Sequence, residues 1–318
     1  VHARANMQDI LNAKDTNATW IGIWISINDI ALQSKFTNKS LDWIIKQAVE
    51  SITLAKKLGF KVRFTIEDAS RTNLEDIELL IKAIASINNI SNSTPDVLSV
   101  ADTVGIWHPN ICYEFILNIK NYLLKYQLNE TLIEVHLHND LGLANSNLIA
   151  AINAGVSIID ASILGIGERA GICNTIELAY LLNRFYSFNL HNYYFNFSMS
   201  QLLADIVANI ANFTIEPHRA LLGSDVFTHS SKYHAKAIVN NLASYQAITP
   251  EDFNRQTTIN INKLVRMDIN RINNACQTFE LYKLKHIDDF KKDNLNLIIT
   301  KPFIKGASEL LHHRDGVG

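Results

Sequence analysis

Along residues 1–190 the apolar positions switch repeatedly between two spacings. Short β-branched or alternating runs at 1–5, 20–26, 61–66, 96–101, 132–137 and 156–163 predict strands, because side chains alternate across a strand with period two. Between them, apolar residues recur every three or four positions over 7–13, 41–58, 74–90, 109–126, 144–154 and 174–185, which predicts helices. Ile44, Ile45, Ala48, Ile52 and Ala55 mark one such stripe, and Gly59 is placed to end it. Pro109 sits in the first turn of another, where its missing N–H costs nothing. Strand and helix thus alternate at roughly 25–40 residues per repeat, the rhythm of a parallel βαβ protein.

The polar residues gather at the carboxyl ends of the strands. They are Arg63, Thr65, Glu67 and Asp68, then Asp102 and Thr103, then Glu134, His136, His138 and Asn139, then Asp160, Glu168 and Arg169. A (β/α)8 barrel places its active-site residues at that face. An open doubly wound sheet does the same, but no Gly-x-Gly-x-x-Gly opens a helix here, so a dinucleotide reading is weak. After about 187 the rhythm stops. Residues 202–211 predict a helix, and 217–222 should lead into another. The expected organisation is a barrel domain over 1–190, a linker and mainly helical lid over 191–265, and an unassigned segment over 266–318.

The run 132–143 carries the clearest chemistry. His136 and His138, two apart on a strand, share a face, with Glu134 one step deeper. Paired imidazoles make half of a divalent metal site, which a carboxylate usually completes. Two hydrogen-bonded histidines near a strand end is the plainer alternative.

Composition narrows the partners. Of 318 residues 47% are hydrophobic, enough for a large core, and the net charge of -2 argues against a nucleic-acid or membrane surface. Cys112, Cys173 and Cys276 show no Cys-x-x-Cys, which fits a reducing compartment. The chain opens on Val1-His2-Ala3-Arg4, which reads like protein interior, so a fragment or processed product is expected.

Four segments together resemble one family. They are Val62-Arg63-Phe64-Thr65-Ile66-Glu67-Asp68-Ala69-Ser70-Arg71, Ala101-Asp102-Thr103-Val104-Gly105, His136-Leu137-His138-Asn139-Asp140-Leu141-Gly142 and Gly165-Ile166-Gly167-Glu168-Arg169-Ala170-Gly171. In this order they resemble the DRE-TIM metallolyases that condense acetyl-CoA with a 2-oxo acid, homocitrate synthase and 2-isopropylmalate synthase among them. Downstream, Phe227-Thr228-His229 and 234–241 look most like homocitrate synthase, while Leu141-Gly142-Leu143-Ala144-Asn145 leans towards the isopropylmalate branch.

The resemblance implies an α/β fold, a TIM barrel followed by a lid. It implies His136 and His138 as ligands of zinc, magnesium or manganese, with acetyl-CoA as co-substrate. Arg63 and Thr103 would hold the 2-oxo acid, with Thr65 and Glu134 lining its site. Glu67 and His234 would move protons, assisted by Tyr245. It further implies a homodimer that exchanges lids, and a cytoplasmic location with a mitochondrial or nuclear one as the eukaryotic alternative. By the same resemblance the chain begins near the end of the third barrel strand, so two strands and two catalytic groups would precede it and the chain alone would not turn over. Lys232-Tyr233 stands where the family has Gly-Ile. A non-catalytic remnant that binds a partner subunit is the alternative from another class.

Overall fold

The computed structural model describes residues 1–91, 93–186 and 195–260. The expected unassigned segment 266–318, with Cys276 and its His312-His313 pair, lies outside them. The chain forms two compact units, Val1–Gly223 and Ser224–Gly318.

The first unit carries a six-stranded parallel sheet of β1 (His2–Arg4), β2 (Trp20–Ser26), β3 (Lys61–Glu67), β4 (Val97–Asp102), β5 (Leu132–Leu137) and β6 (Ile158–Asp160). Its strands pair in chain order, β1 through β6, each parallel to the next. That sequential order, with no reversal point, belongs to a barrel and not to a doubly wound sheet. Helices α1 (Met7–Ala13), α3 (Leu41–Lys57), α4 (Leu74–Ser91), α5 (Pro109–Lys125), α6 (Ala144–Ala154) and α7 (Thr175–Tyr186) fall at the positions that the apolar spacing predicts. A short helix α2 (Asp29–Ser34) adds to them. Its sequence signal is Asn28, whose side-chain oxygen accepts from the Ala31 N–H at 2.9 Å.

Period two divides each strand into two sets. Ile21, Ile23 and Ile25 of β2, Val62, Phe64 and Ile66 of β3, and Ile133, Val135 and Leu137 of β5 are all buried. They share one core with Ile44, Ile52, Leu80, Ile84, Ile116 and Leu148 of the helices. Each such side chain taken from water stabilises the unit by about 1.5–3 kcal/mol. The intervening positions, Arg63, Thr65 and Glu67 on β3 and Glu134 and His136 on β5, are left to the other face. The hydrophobic pattern that builds the sheet therefore also collects the polar groups on one side of it.

Two expectations need correction. The strand expected over 156–163 shortens to Ile158–Asp160, because the chain turns at Ile163–Gly165 with Leu164 at a φ of 63°. Residues 217–222 form turns and no helix. Arg219 is held by Glu177 at 2.9 Å, and Leu221 lies at a φ of 65°, which breaks helical progression. The first unit runs to Gly223 and takes in α8 (Ser200–Ala211).

The β4 exit is fixed by Asp102, which is fully buried. Its two carboxylate oxygens accept from the N–H groups of Ile106 at 3.1 Å and Trp107 at 2.9 Å. Asp102→Ala would strand both donors, so we expect a loss of about 1–3 kcal/mol per unpaired group, read as a lower midpoint in denaturant unfolding.

In its described part the second unit holds α9 (Lys232–Asn240) and a small parallel pair, β7 (Thr228–His229) with β8 (Thr258–Ile259). Phe227 and Phe253 fill its core. Among the described residues no helix is long and apolar enough to cross a membrane.

Candidate metal and substrate site

β5 and β6 lie in register so that His136 and Asp160 are neighbours. His136 Nδ1 lies 2.9 Å from Asp160 Oδ2, and His138 Nδ1 lies 3.2 Å from the carbonyl oxygen of Gly171. The hydrogen bond from His136 holds the Asp160 carboxyl below its usual range, against the cost of burial, so Asp160 is ionised at neutral pH. A carboxylate and a carbonyl can only accept. Both Nδ1 atoms therefore carry the ring hydrogen.

The consequence lies on the other side of the rings. His136 Nε2 and His138 Nε2 face each other at 3.1 Å, with the rings edge to face. When both rings are neutral with the hydrogen on Nδ1, two lone pairs meet there, an arrangement that a shared cation would relieve. Two nitrogens about 2.0–2.1 Å from one metal lie about 2.9–3.4 Å apart for octahedral to tetrahedral angles, so the pair fits a divalent cation. Burial pushes the His138 pKa down, with His136 and Arg169 adding to the effect, which keeps its lone pair free at neutral pH. Among the described residues no group of three or more His, Cys, Asp or Glu side chains gathers as a ligand set. The two Nε2 atoms are the candidate nitrogen ligands here.

Behind the histidines, the Arg63 guanidinium donates through Nε and Nη2 to Glu134, and through Nη2 to Asp160 at 3.5 Å. Ser99 Oγ donates to the same Glu134 at 3.2 Å. The sequence-predicted residues Arg63, Glu134, His136 and His138 are thus joined in one chain of contacts. Its central link is Asp160, which the sequence marks only as one of the polar residues at a strand end. Its register opposite His136 is the signal that singles it out.

Other predicted residues lie in separate contacts. Glu67 accepts at Oε2 from Ser26 Oγ and pairs there with Lys35 Nζ at 2.7 Å. Neither partner stands out in the sequence. Thr65 is buried between Arg63 and Glu67 along β3. Thr103 Oγ1 accepts from the Asp68 N–H at 2.8 Å, and the Thr103 carbonyl accepts from Arg169 Nη2 at 2.6 Å. Arg169 is not chiefly a partner of Glu168, which is 3.9 Å away and open to solvent. It forks onto Asp140 at 2.8 and 3.0 Å. That pair ties the loops after β4, β5 and β6 together. In the second unit His234 stacks on Tyr245 with ring centroids 3.9 Å apart. His229 Nε2 donates to Gln246 Oε1 at 3.1 Å.

Cys112 and Cys173 are buried, and burial pushes both thiols up to about 12. Native chain treated with iodoacetamide at neutral pH should leave both unlabelled by peptide mapping, since the thiolate is the reacting form.

A family profile described as HMGL-like matches residues 1–207. The chain belongs to the HMGL-like family. The match covers all six strands of the sheet and the His136–His138 pair. Curated relatives include the homocitrate synthase of Pyrococcus abyssi, 30% identical over 267 residues, covering 84% of this chain and 69% of the relative. The mitochondrial homocitrate synthase of Schizosaccharomyces pombe is 31% identical over 302 residues, covering 94% of this chain and 67% of the relative. A putative (R)-citramalate synthase of Archaeoglobus fulgidus is 31% identical over 263 residues, and the chain spans 50% of its length. Among solved structures, hydroxymethylglutaryl-CoA lyase of Pseudomonas aeruginosa matches with a TM-score of 0.53 at 15% identity, covering 67% of this chain and 70% of that one. That likeness establishes the HMGL-like barrel fold for the sheet described above.

Proposed function

We propose that this HMGL-like chain belongs to an enzyme that condenses acetyl-CoA with a 2-oxo acid, 2-oxoglutarate giving homocitrate. The observation that carries the reading is the pair of facing Nε2 atoms 3.1 Å apart, in a chain whose curated relatives include homocitrate synthases. His136 and His138 would hold zinc, magnesium or manganese, and the bound cation supplies the Lewis acidity that makes a 2-oxo carbonyl electrophilic.

The remaining roles fall to the chain's own groups. The contacts of Arg63 use Nε and Nη2, leaving Nη1 for a substrate carboxylate. Glu134 neutralises Arg63 behind that contact, and Thr65 and Thr103 complete the substrate-binding set. Lys35 and Ser26 occupy Oε2 of Glu67, so Oε1 is the oxygen that takes a proton from the acetyl methyl group. His234 and Tyr245 are assigned to protonating the new alkoxide, on the resemblance and on their stacking. A homodimer with exchanged lids and a location in the cytoplasm or mitochondrion belong to the same proposal.

The test is CoA release by the whole protein carrying this chain, with a divalent cation, from 2-oxoglutarate and from 2-oxoisovalerate. Faster release with 2-oxoglutarate is expected. Faster release with 2-oxoisovalerate would move the assignment to isopropylmalate formation, and release with neither would favour a partner-binding remnant.

A further inference from the structure

We infer that Asp160 sets the tautomer of His136, and that Arg63 and Glu134 hold Asp160 in place to do so. The inference rests on the metal reading above and names the group that keeps the site open. An imidazole beside an acceptor can turn either nitrogen's hydrogen towards it, and the hydrogen bond decides which nitrogen carries it. If His136 carried its hydrogen on Nε2, that N–H would point at His138 Nε2 across 3.1 Å. The two histidines would then close on each other in a hydrogen bond, and both lone pairs would be lost to a cation. Asp160 prevents this by taking the His136 hydrogen at Nδ1, 2.9 Å away.

The support behind Asp160 runs across four neighbouring strands. Asp160 on β6 receives Arg63 Nη2 from β3, Arg63 forks onto Glu134 on β5, and Glu134 also receives Ser99 Oγ from β4. Each donor in this chain of contacts points one way, because each meets a carboxylate. Glu134 is buried and Arg63 mostly so, which holds that pair more firmly than an exposed ion pair. His138 needs no such partner, since the Gly171 carbonyl fixes its tautomer directly. Asp160 is thus a positioning residue acting through His136. An outer hydrogen-bond partner of a metal-binding histidine is worth about 10–100-fold in metal affinity.

The experiment uses the whole chain with Asp160→Ala, Asp160→Asn and His136→Ala. Ring-nitrogen NMR of the metal-free chain at about pH 8, above the ordinary histidine range, reports each tautomer. Calorimetry with zinc or manganese chloride reports affinity. In the native chain His136 should appear as the Nδ1–H tautomer. In Asp160→Ala it should move to Nε2–H while His138 stays Nδ1–H, and affinity should fall about 10–100-fold. Asp160→Asn, which keeps an oxygen acceptor, should fall between the two and serves if the alanine variant does not fold. An unchanged tautomer in Asp160→Ala overturns the inference, and so does an unchanged affinity. If instead His136→Ala binds metal as tightly as the native chain, the metal reading fails, while the tautomer measurement still decides what Asp160 does.

Discussion

His136→Ala is expected to abolish tight binding of a divalent cation, and with it any condensing activity. On the proposed metal reading the site takes two nitrogen ligands from this chain, and the substitution removes one outright. The loss should exceed the about 10–100-fold cost of removing an outer partner. Higher pH should not repair it, because deprotonation cannot restore a ring nitrogen that the substitution has removed. Calorimetric titration with zinc, magnesium and manganese, one at a time, measures it. Native affinity should fall on acidification, since a protonated imidazole has no lone pair to give. Burial lowers the His138 pKa, so His138 gives up its lone pair later on acidification than an ordinary histidine. The same sign governs folding. The unfolded chain binds the proton first, so the stability from neutral His138 is present above pH 6.5 and is lost as pH falls below it. Equal metal affinity in native and variant chains would remove the basis of the proposed function.

Gly171→Ala should cost more stability than any other single methyl group added in this region. Gly171 lies at a φ of 82°, where an L side chain is strained by about 1–2 kcal/mol. A Cβ built there would also overlap the carbonyl oxygen of Gly165, which is backbone and cannot swing away. The Gly171 N–H bonds the Glu168 carbonyl at 2.9 Å, and its own carbonyl accepts from Asn139 N–H at 2.9 Å and from His138 Nδ1 at 3.2 Å. The loop must shift to accommodate the methyl group, and the His138 anchor shifts with it. We expect a loss of about 3 kcal/mol or more, read in thermal unfolding, together with weaker metal binding. A variant as stable as the native chain would show that the loop adapts without cost.

Much of the fold is legible in the sequence because its causes are local. Ile21, Ile23 and Ile25 alternate, and Ile44, Ala48, Ile52 and Ala55 recur at helical spacing, so neighbouring residues alone announce strand and helix. Asn28 also carries a local signal, which the α2 helix answers. The strand expected over 156–163 is a different matter. Its residues are mostly apolar, and it ends where Leu164 adopts a positive φ under the demands of a loop that bonds Ser162 to Cys173. No residue spacing announces that.

The candidate site divides the same way. The alternation of β5 is enough to place His136 and His138 on one face, and the family segments point to the HMGL-like assignment. Which partner each polar group takes is decided only by folding. Arg63 lies 71 positions from Glu134 and 97 from Asp160. Arg169 passes over adjacent Glu168 for Asp140, 29 positions away. Sequence period fixes the direction of a side chain from its own strand. Strand register, set by the whole sheet, fixes what it meets, and hydrogen-bond partners across a sheet have no signature along the chain.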